Sequence, residues 1–399
     1  MDMEKLIKIL RGSGVLKLLP RQLKMKLKSR GDFERLHRLD WQENYNRLMA
    51  RVQPARELST QREVCIVHDW MMRHGYYEAA CLELGVPYHV LDLTSSDWVR
   101  KVEEDDSFIY FLRPFVLSTL GRTVYEERAY FLSHVLDRPL FPGFDSLWIY
   151  ESKRRCINWL EHFRVPHAKT WIFLSAREAL SFLDTATFPL VFKTDIGSDA
   201  LGVRVLRNKR EARNIVKACF GKGFQSNFYD PRDRNYGQIL FQQHLGEVKE
   251  WRVIRIGESF FSYQKGKKGE FHSGTKIVEY HVPGEDLLNF SRNVLEKMGM
   301  NAVALDVFED VEGKFFVNEV QAYYGANEPG GYYSGDGKEI TLDVGQTIEM
   351  MVHGEPGRFY YQQGKWLFEA GDFSRNAGCN LRVKLAFQEK GEPLPGYAA

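Results

Sequence analysis

The sequence predicts an α/β protein of two or three subdomains, and three observations carry that prediction. From Glu63 to Leu136 short apolar runs alternate with helical patterns, which calls for a parallel sheet with helices on its faces. From Leu190 onward strand–turn–strand units take over, the mark of antiparallel pairing. Near the end of that region, Ala304–Gln321 reads as an apolar hairpin carrying two carboxylates and an amide. At 399 residues, 44% of them hydrophobic and 27% charged, the chain can bury a sizeable core.

The first sixty residues stand apart, with about twice as many Lys and Arg as Asp and Glu. Leu16, Leu19, Leu23 and Leu27 fall at helical spacing among Lys24, Lys26 and Lys28, and Pro20 starts or kinks the helix. A basic amphipathic helix over residues 15–30 fits packing on its own protein, or an anionic membrane or acidic partner. It lacks the interleaved aromatics of a nucleic-acid binder, and no nucleic acid is expected. The net charge of +2 is a near cancellation and excludes little. Cys65, Cys81, Cys156, Cys219 and Cys379 form no CxxC pair, so buried thiols in a reducing, cytoplasmic compartment are expected. No run reaches bilayer-spanning length, and no signal-peptide pattern opens the chain.

In order, Val64–His68, Tyr88–Leu91 and Ser107–Leu112 read as strands, with helices at Tyr76–Leu84, Ser96–Glu103 and Arg122–Leu136. No GxGxxG follows the first strand, so a dinucleotide fingerprint is absent. Tyr150–Phe163 reads as a helix with Lys153, Arg154 and Arg155 in its first turns, where they oppose the helix dipole and suit either a nearby anion or plain solvation. Leu190–Lys193 and Val203–Leu206 flank a loop holding Gly197, Ser198 and Gly202, whose small residues can close backbone N–H groups over a phosphate. Strands at Ile239–Leu245, from Glu250, and at Phe260–Gln264 follow, then a helix at Leu287–Met298. A loop rich in Gly, Tyr and Asn spans Ala322–Gly337, a closing helix is expected over Leu342–Val352, and short strands at Phe359–Tyr361, Trp366–Glu369 and Leu381–Phe387.

The hairpin carries the chemistry. Glu319 and Gln321 are two apart and share a face, and Asp306 lies opposite them if the hairpin register is a simple one. Two carboxylates and an amide oxygen suit a hard cation such as Mg²⁺ completed by phosphate oxygens. A solvated polar face is the plainer alternative, set against the cost of burying unpaired carboxylates in so apolar a segment.

From about Tyr150 to Gly330 the order of these features resembles the ATP-grasp superfamily. The segment before it resembles the pre-ATP-grasp domain of RimK-like and glutathione-synthetase-like carboxylate–amine ligases, with Arg113 after its third strand. The resemblance implies a division into a basic helical arm (1–60), a parallel pre-ATP-grasp α/β domain (61–149), an ATP-grasp domain (150–354) and a β-rich appendage (355–399). It implies that Lys153 and Lys193 contact phosphates, that Gly197, Ser198 and Gly202 cover the triphosphate, and that Gln242, Gln243 and Leu245 form the adenine hinge. The resemblance further implies that Glu250 takes the ribose, that Lys265 or Lys268 faces phosphate or the acyl intermediate, and that Asp306, Glu319 and Gln321 hold the metal. Arg252 and the Tyr323–Tyr333 loop are candidates for holding the acyl donor or acceptor. Ala200, Gln242 and Gln321 depart from the usual family residues. The implied ligands are ATP and Mg²⁺, or Mn²⁺ in its place. The implied reaction joins an acid to an amine through an acylphosphate, releasing ADP and phosphate. The partners are then small-molecule or peptide acids and amines, and a homodimer is common in such ligases. A hydroxyl-phosphorylating kinase and a non-catalytic nucleotide-binding protein are the alternatives.

Overall fold

The computed structural model describes residues 33–113, 118–197, 202–225, 233–323, 332–340, 342, 345–348, 351–352 and 355–395. The basic stretch at 15–30, Ser198 and most of the loop after Tyr323 lie outside them. The fold class is the expected one: mixed α/β, with one parallel and two antiparallel-based sheets.

A helix, α1 (Phe33–Arg51), comes first. Its Trp41 and Leu48 are buried, and a Cβ on Gly75 would lie 2.5 Å from the Tyr45 ring, so this part of the N-terminal segment packs on its own protein. The parallel sheet then runs β2-β1-β3-β4, from β1 (Val64–Val67), β2 (Tyr88–Leu91), β3 (Tyr110–Phe111) and β4 (Leu140–Phe141). Between its strands lie α2 (Gly75–Leu84), α3 (Trp98–Glu103) and α4 (Thr119–Tyr130). Gly85 ends α2 at φ 64°, as the sequence anticipates. The third strand is shorter than expected, and the long helix begins earlier, where Ser118 caps it, and continues as a π-turn over Phe131–Val135.

Two helices, α5 (Phe144–Ile149) and α6 (Lys153–His162), lead into the second half. There a four-stranded antiparallel sheet, order β5-β8-β6-β7, is built from β5 (Thr170–Phe173), β6 (Leu190–Lys193), β7 (Val203–Leu206) and β8 (Ile239–Gln243). It is covered by α7 (Ala176–Phe182) and α8 (Lys209–Phe220), whose apolar faces bury Ala179, Ala212 and Val216 against Phe192 and Phe241. The largest sheet has β9 (Val248–Ile256), β10 (Ser259–Lys265), β11 (Ile277–Glu279), β12 (Ala302–Asp310) and β13 (Phe315–Gln321). Helix α9 (Glu285–Lys297) packs Leu287, Leu288 and Leu295 onto it. Short strands β14 (Tyr332–Ser334) and β15 (Glu339–Ile340) extend one edge.

Two expectations near the C-terminus fail. The described residues of 342–352 form no α-helix: Gly345 sits at φ +87°, and Met351–Val352 is a strand, β16, paired with β17 (Glu355–Gln362). The hairpin of β17 and β18 (Lys365–Ala370) is found, but residues 381–387 belong to a helix, α10 (Cys379–Glu389). Leu381, Val383, Leu385 and Phe387 alternate like a strand, yet Arg382 and Ala386 between them are buried as well. A helix covered nearly all round loses the polar face that would reveal its period. The region 355–395 is therefore a hairpin followed by a core helix rather than a β-rich appendage.

Candidate active site

A cavity of about 670 Å³ opens between the two antiparallel sheets. Its walls hold Lys153, Lys193, Gly197, Gln242, Gln243, Leu245, Glu250, Arg252, Lys265, Asp306, Glu319 and Gln321. Val191, Val205, Ala168 and Phe308 supply an apolar wall to the same cavity as Gln242, Gln243 and Leu245. Lys268 does not join them: it is exposed in the turn after β10, its N–H bonded to the Phe271 carbonyl, so Lys265 is the basic residue at this position. Ser198 lies outside the described residues, and Gly202 bonds back through its carbonyl to the Thr194 N–H at 3.1 Å.

Local chemistry explains how Lys153 is aimed. Ser152 caps α6, accepting from the Arg155 N–H, and Lys153 is the first helical residue. The anion suited to this helix N-terminus is one of the protein's own. Asp195, just beyond β6, accepts from the Arg154 N–H at 2.9 Å, Ser152 Oγ at 3.0 Å and Arg122 Nη1 at 2.9 Å. Arg155 is clasped by Glu126 at 2.5 and 2.8 Å. That leaves Lys153 of the three basic residues facing the cavity. Its Nζ donates to the Gly197 carbonyl at 2.8 Å and lies 3.5 Å from Glu319 Oε1.

The β12–β13 pair holds the acidic residues, and its register is not simple. Glu309↔Phe315, Phe308↔Phe316 and Val307↔Val317 pair in sequence, then Asp306 pairs with Glu319. Asn318 is the extra residue of a β-bulge. Without it Asp306 would face Asn318, and Glu319 would point to the opposite side of the sheet. The bulge therefore brings Asn318, Glu319 and Gln321 all to the cavity wall. Asn318 Oδ1 accepts from Lys193 Nζ at 2.7 Å, a contact no motif in the sequence signals.

Charges alternate around the wall. Lys265 Nζ donates to Glu250 Oε1 and to Asp306 Oδ2, both at 2.6 Å, and Ser273 Oγ adds a bond to Glu250 at 3.2 Å. Arg252 forks onto Asp306 through Nε at 2.9 Å and Nη2 at 3.1 Å, and reaches Gln321 Oε1 at 3.1 Å. Burial pushes the Asp306 carboxyl up, but Arg252 and Lys265 outweigh it and hold it well below the usual carboxylate range. Burial alone would lower Lys153, yet Glu319, Glu151 and Asp195 leave its ammonium raised. Lys193 goes the other way: burial and the neighbouring Lys153 pull it down to about 8.

The donor set suits a hard divalent cation. Asp306 accepts three bonds and keeps an open lone pair on Oδ1. Glu319 has only long contacts, 3.5 Å to Lys153 and 3.4 Å from Gln321 Nε2, so its oxygens are free to turn to a cation. At the end of β8, the Gln243 N–H donates to the Lys169 carbonyl at 2.8 Å and Gln242 Nε2 to Thr170 Oγ1 at 3.0 Å. His244 and Leu245 follow at the cavity rim. Among the described residues no helix is long and apolar enough to cross a membrane.

The low value of Lys193 gives a testable pH dependence. An anion bound beside it favours the charged form, so binding takes up a proton above about pH 8. Affinity for an anionic ligand seated beside Lys193, with MgATP as the probe, is expected to fall by up to roughly tenfold per pH unit above that point. In Lys193→Arg, whose guanidinium stays charged, titration calorimetry should find a flat affinity over the same range. Equal decline in both proteins would refute the assignment.

No protein-family model matches the sequence, and no curated protein matches it. Solved structures do match. A RimK domain ATP-grasp protein from Sphaerobacter thermophilus is 14% identical, over 65% of this chain and 90% of that one, at a TM-score of 0.44. D-alanyl-alanine synthetase A from Vibrio cholerae is 13% identical, over 67% of this chain and 90% of that one, at 0.46. The biotin carboxylase domain of the Hydrogenobacter thermophilus 2-oxoglutarate carboxylase, solved with MgADP, is 13% identical, over 67% of this chain and 65% of that one, at 0.49.

Proposed function

We propose that the protein is an ATP-dependent carboxylate–amine ligase, acting on a small-molecule or peptide acid and amine. The observation that carries this reading is the wall of four cations, Lys153, Lys193, Arg252 and Lys265, set among Glu250, Asp306, Glu319 and Gln321 beside an apolar slot. Such a wall suits a metal–polyphosphate joined to a flat apolar base. Lys153 and Lys193 would neutralise phosphate oxygens, and the apolar wall near Gln243 and Leu245 would take the base. Glu250 would accept from the ribose. Asp306, Glu319 and Gln321 would hold Mg²⁺, or Mn²⁺ in its place. The metal, when bound, supplies charge neutralisation on the phosphates.

The chain's own part is to position reactants and neutralise charge. In the proposed reaction a carboxylate oxygen of the acid attacks the γ-phosphorus, the bond to the β-phosphate oxygen breaks, and ADP leaves. The amine nitrogen then attacks the acyl carbon, the acyl–phosphate bond breaks, phosphate leaves and the amine proton passes to solvent. Arg252, anchored on Asp306, is placed to offset charge on the acyl phosphate. The test is release of ADP and phosphate by the full chain with paired acids and amines. Release that needs both co-substrates supports the ligase. A stable phosphorylated alcohol without free phosphate would favour a kinase, and production of AMP would overturn both. MgATP binding without turnover would favour a nucleotide-binding protein.

A further inference from the structure

The same cavity reaches a further cation that the nucleotide reading does not use. Arg113 follows β3, lines the cavity and is 4% exposed. Its Nη1 donates to the Arg73 carbonyl at 3.2 Å, and the rings of Tyr323 and Tyr76 lie 4.0 and 4.8 Å from its guanidinium carbon. Among the described residues its Nε and Nη2 have no hydrogen-bond partner. These two atoms form one edge of the guanidinium, the same edge with which Arg252 grips both oxygens of Asp306. Leaving a buried charged edge unmade is costly, and its fork matches a two-oxygen anion. Asp69 feels the charge of Arg113, but its two oxygens accept the Met71 and Arg73 N–H groups. Tyr323 comes two residues after Gln321, so Arg113 stands off the end of the strand bearing Glu319.

We propose that Arg113 is a specificity residue that seats a second anionic group, a carboxylate or a phosphoryl, of the acid substrate. Identification of that anion with the acid rests on the ligase reading; the anion site itself does not. The acid is then at least dianionic, with one carboxylate activated near Glu319 and the other group held between Tyr76 and Tyr323.

Titration calorimetry on the full chain tests this with glutarate, 2-phosphoglycolate and butyrate as probes. At least one dianion should bind ten times more tightly than butyrate, and the stronger of the two identifies carboxylate or phosphoryl. Arg113→Gln and Arg113→Lys should both erase that margin, since an ammonium cannot reproduce the fork. If Arg113→Gln fails to fold, Arg113→Lys carries the comparison. No margin in the natural protein, or a margin that survives in the folded variants, overturns the proposal. Stabilisation by MgATP is followed in parallel. Its absence with the margin intact would remove the nucleotide reading alone, and its presence without the margin would remove the anion seat alone.

Discussion

Exchanging Lys265 for methionine is expected to lower the unfolding free energy by about 3–5 kcal/mol, the range for stripping one partner from a buried ion pair. Lys265 is the shared donor of Glu250 and Asp306, and all three are buried. Asp306 would keep the Arg252 fork, so the deficit falls mainly on Glu250, left with Ser273. Urea unfolding followed by tryptophan emission reads this as a drop in midpoint at unchanged slope. In Glu250→Gln/Lys265→Met no buried carboxylate is stranded, and much of the loss should return. Acid should also shrink the deficit, because a stranded carboxyl can protonate. In the natural protein the sign is opposite. Asp306 has a depressed value, so its contribution is present above its ordinary value of 3.8 and lost as pH falls toward the folded value. A Lys265→Met midpoint matching the natural protein would sink this account.

Glu319→Ala is expected to leave the unliganded fold within about 1 kcal/mol of the natural protein, as for a side chain with few strong contacts. Glu319 makes only long contacts, at 3.5 and 3.4 Å. Its effect belongs to the liganded state. With Mg²⁺ and ATP at about a hundred times the dissociation constant, the natural protein should gain roughly 2.7 kcal/mol, and Glu319→Ala should gain almost nothing. Turnover should fall by about 10²–10³, the cost of one group aimed at transition-state charge. Thermal melts with and without MgATP decide the first point. Equal stabilisation of both proteins would remove Glu319 from the metal site.

Part of this candidate site is legible because β-strands place chemistry at short, regular spacings, while Gln242, Gln243, Leu245 and Glu250 enter only through the family resemblance. Glu319 and Gln321 stand two apart on one strand, and Lys193 ends another, so residue type and period were enough. The sequence puts Asp306 opposite Glu319 and Gln321 only on the condition of a simple hairpin; the pairing of Asp306 with Glu319 is instead made by the bulge at Asn318. A one-residue slip carries no compositional signature, because nothing in Phe315–Gln321 marks which residue is the extra one. Lys265 and Lys268 are equivalent in sequence, and only the end of β10 separates the buried one from the exposed one. Arg113 could be placed after its strand, but its orphaned edge depends on aromatic rings from distant segments. Helix α10 was misread because burial on nearly every side erased the contrast that periodicity requires.

That helix also bears on how the chain is made. Its Leu381, Val383, Leu385 and Phe387 share one core with Val64 and Ile66 from the first sheet, Tyr77 from α2, and Ile254, Ile256 and Ala302 from the largest sheet. Arg382 Nη2 reaches the Ala302 and Ala322 carbonyls at 3.2 and 3.0 Å, at the base of β12 and just past β13. On a ribosome the parallel sheet emerges some three hundred residues ahead of the segment that covers it, and at about 5–20 residues per second it waits tens of seconds with an apolar flank uncovered. The first sheet is thus synthesised well ahead of the helix that seals its flank, which makes the nascent chain a natural client for chaperones that shield apolar surface.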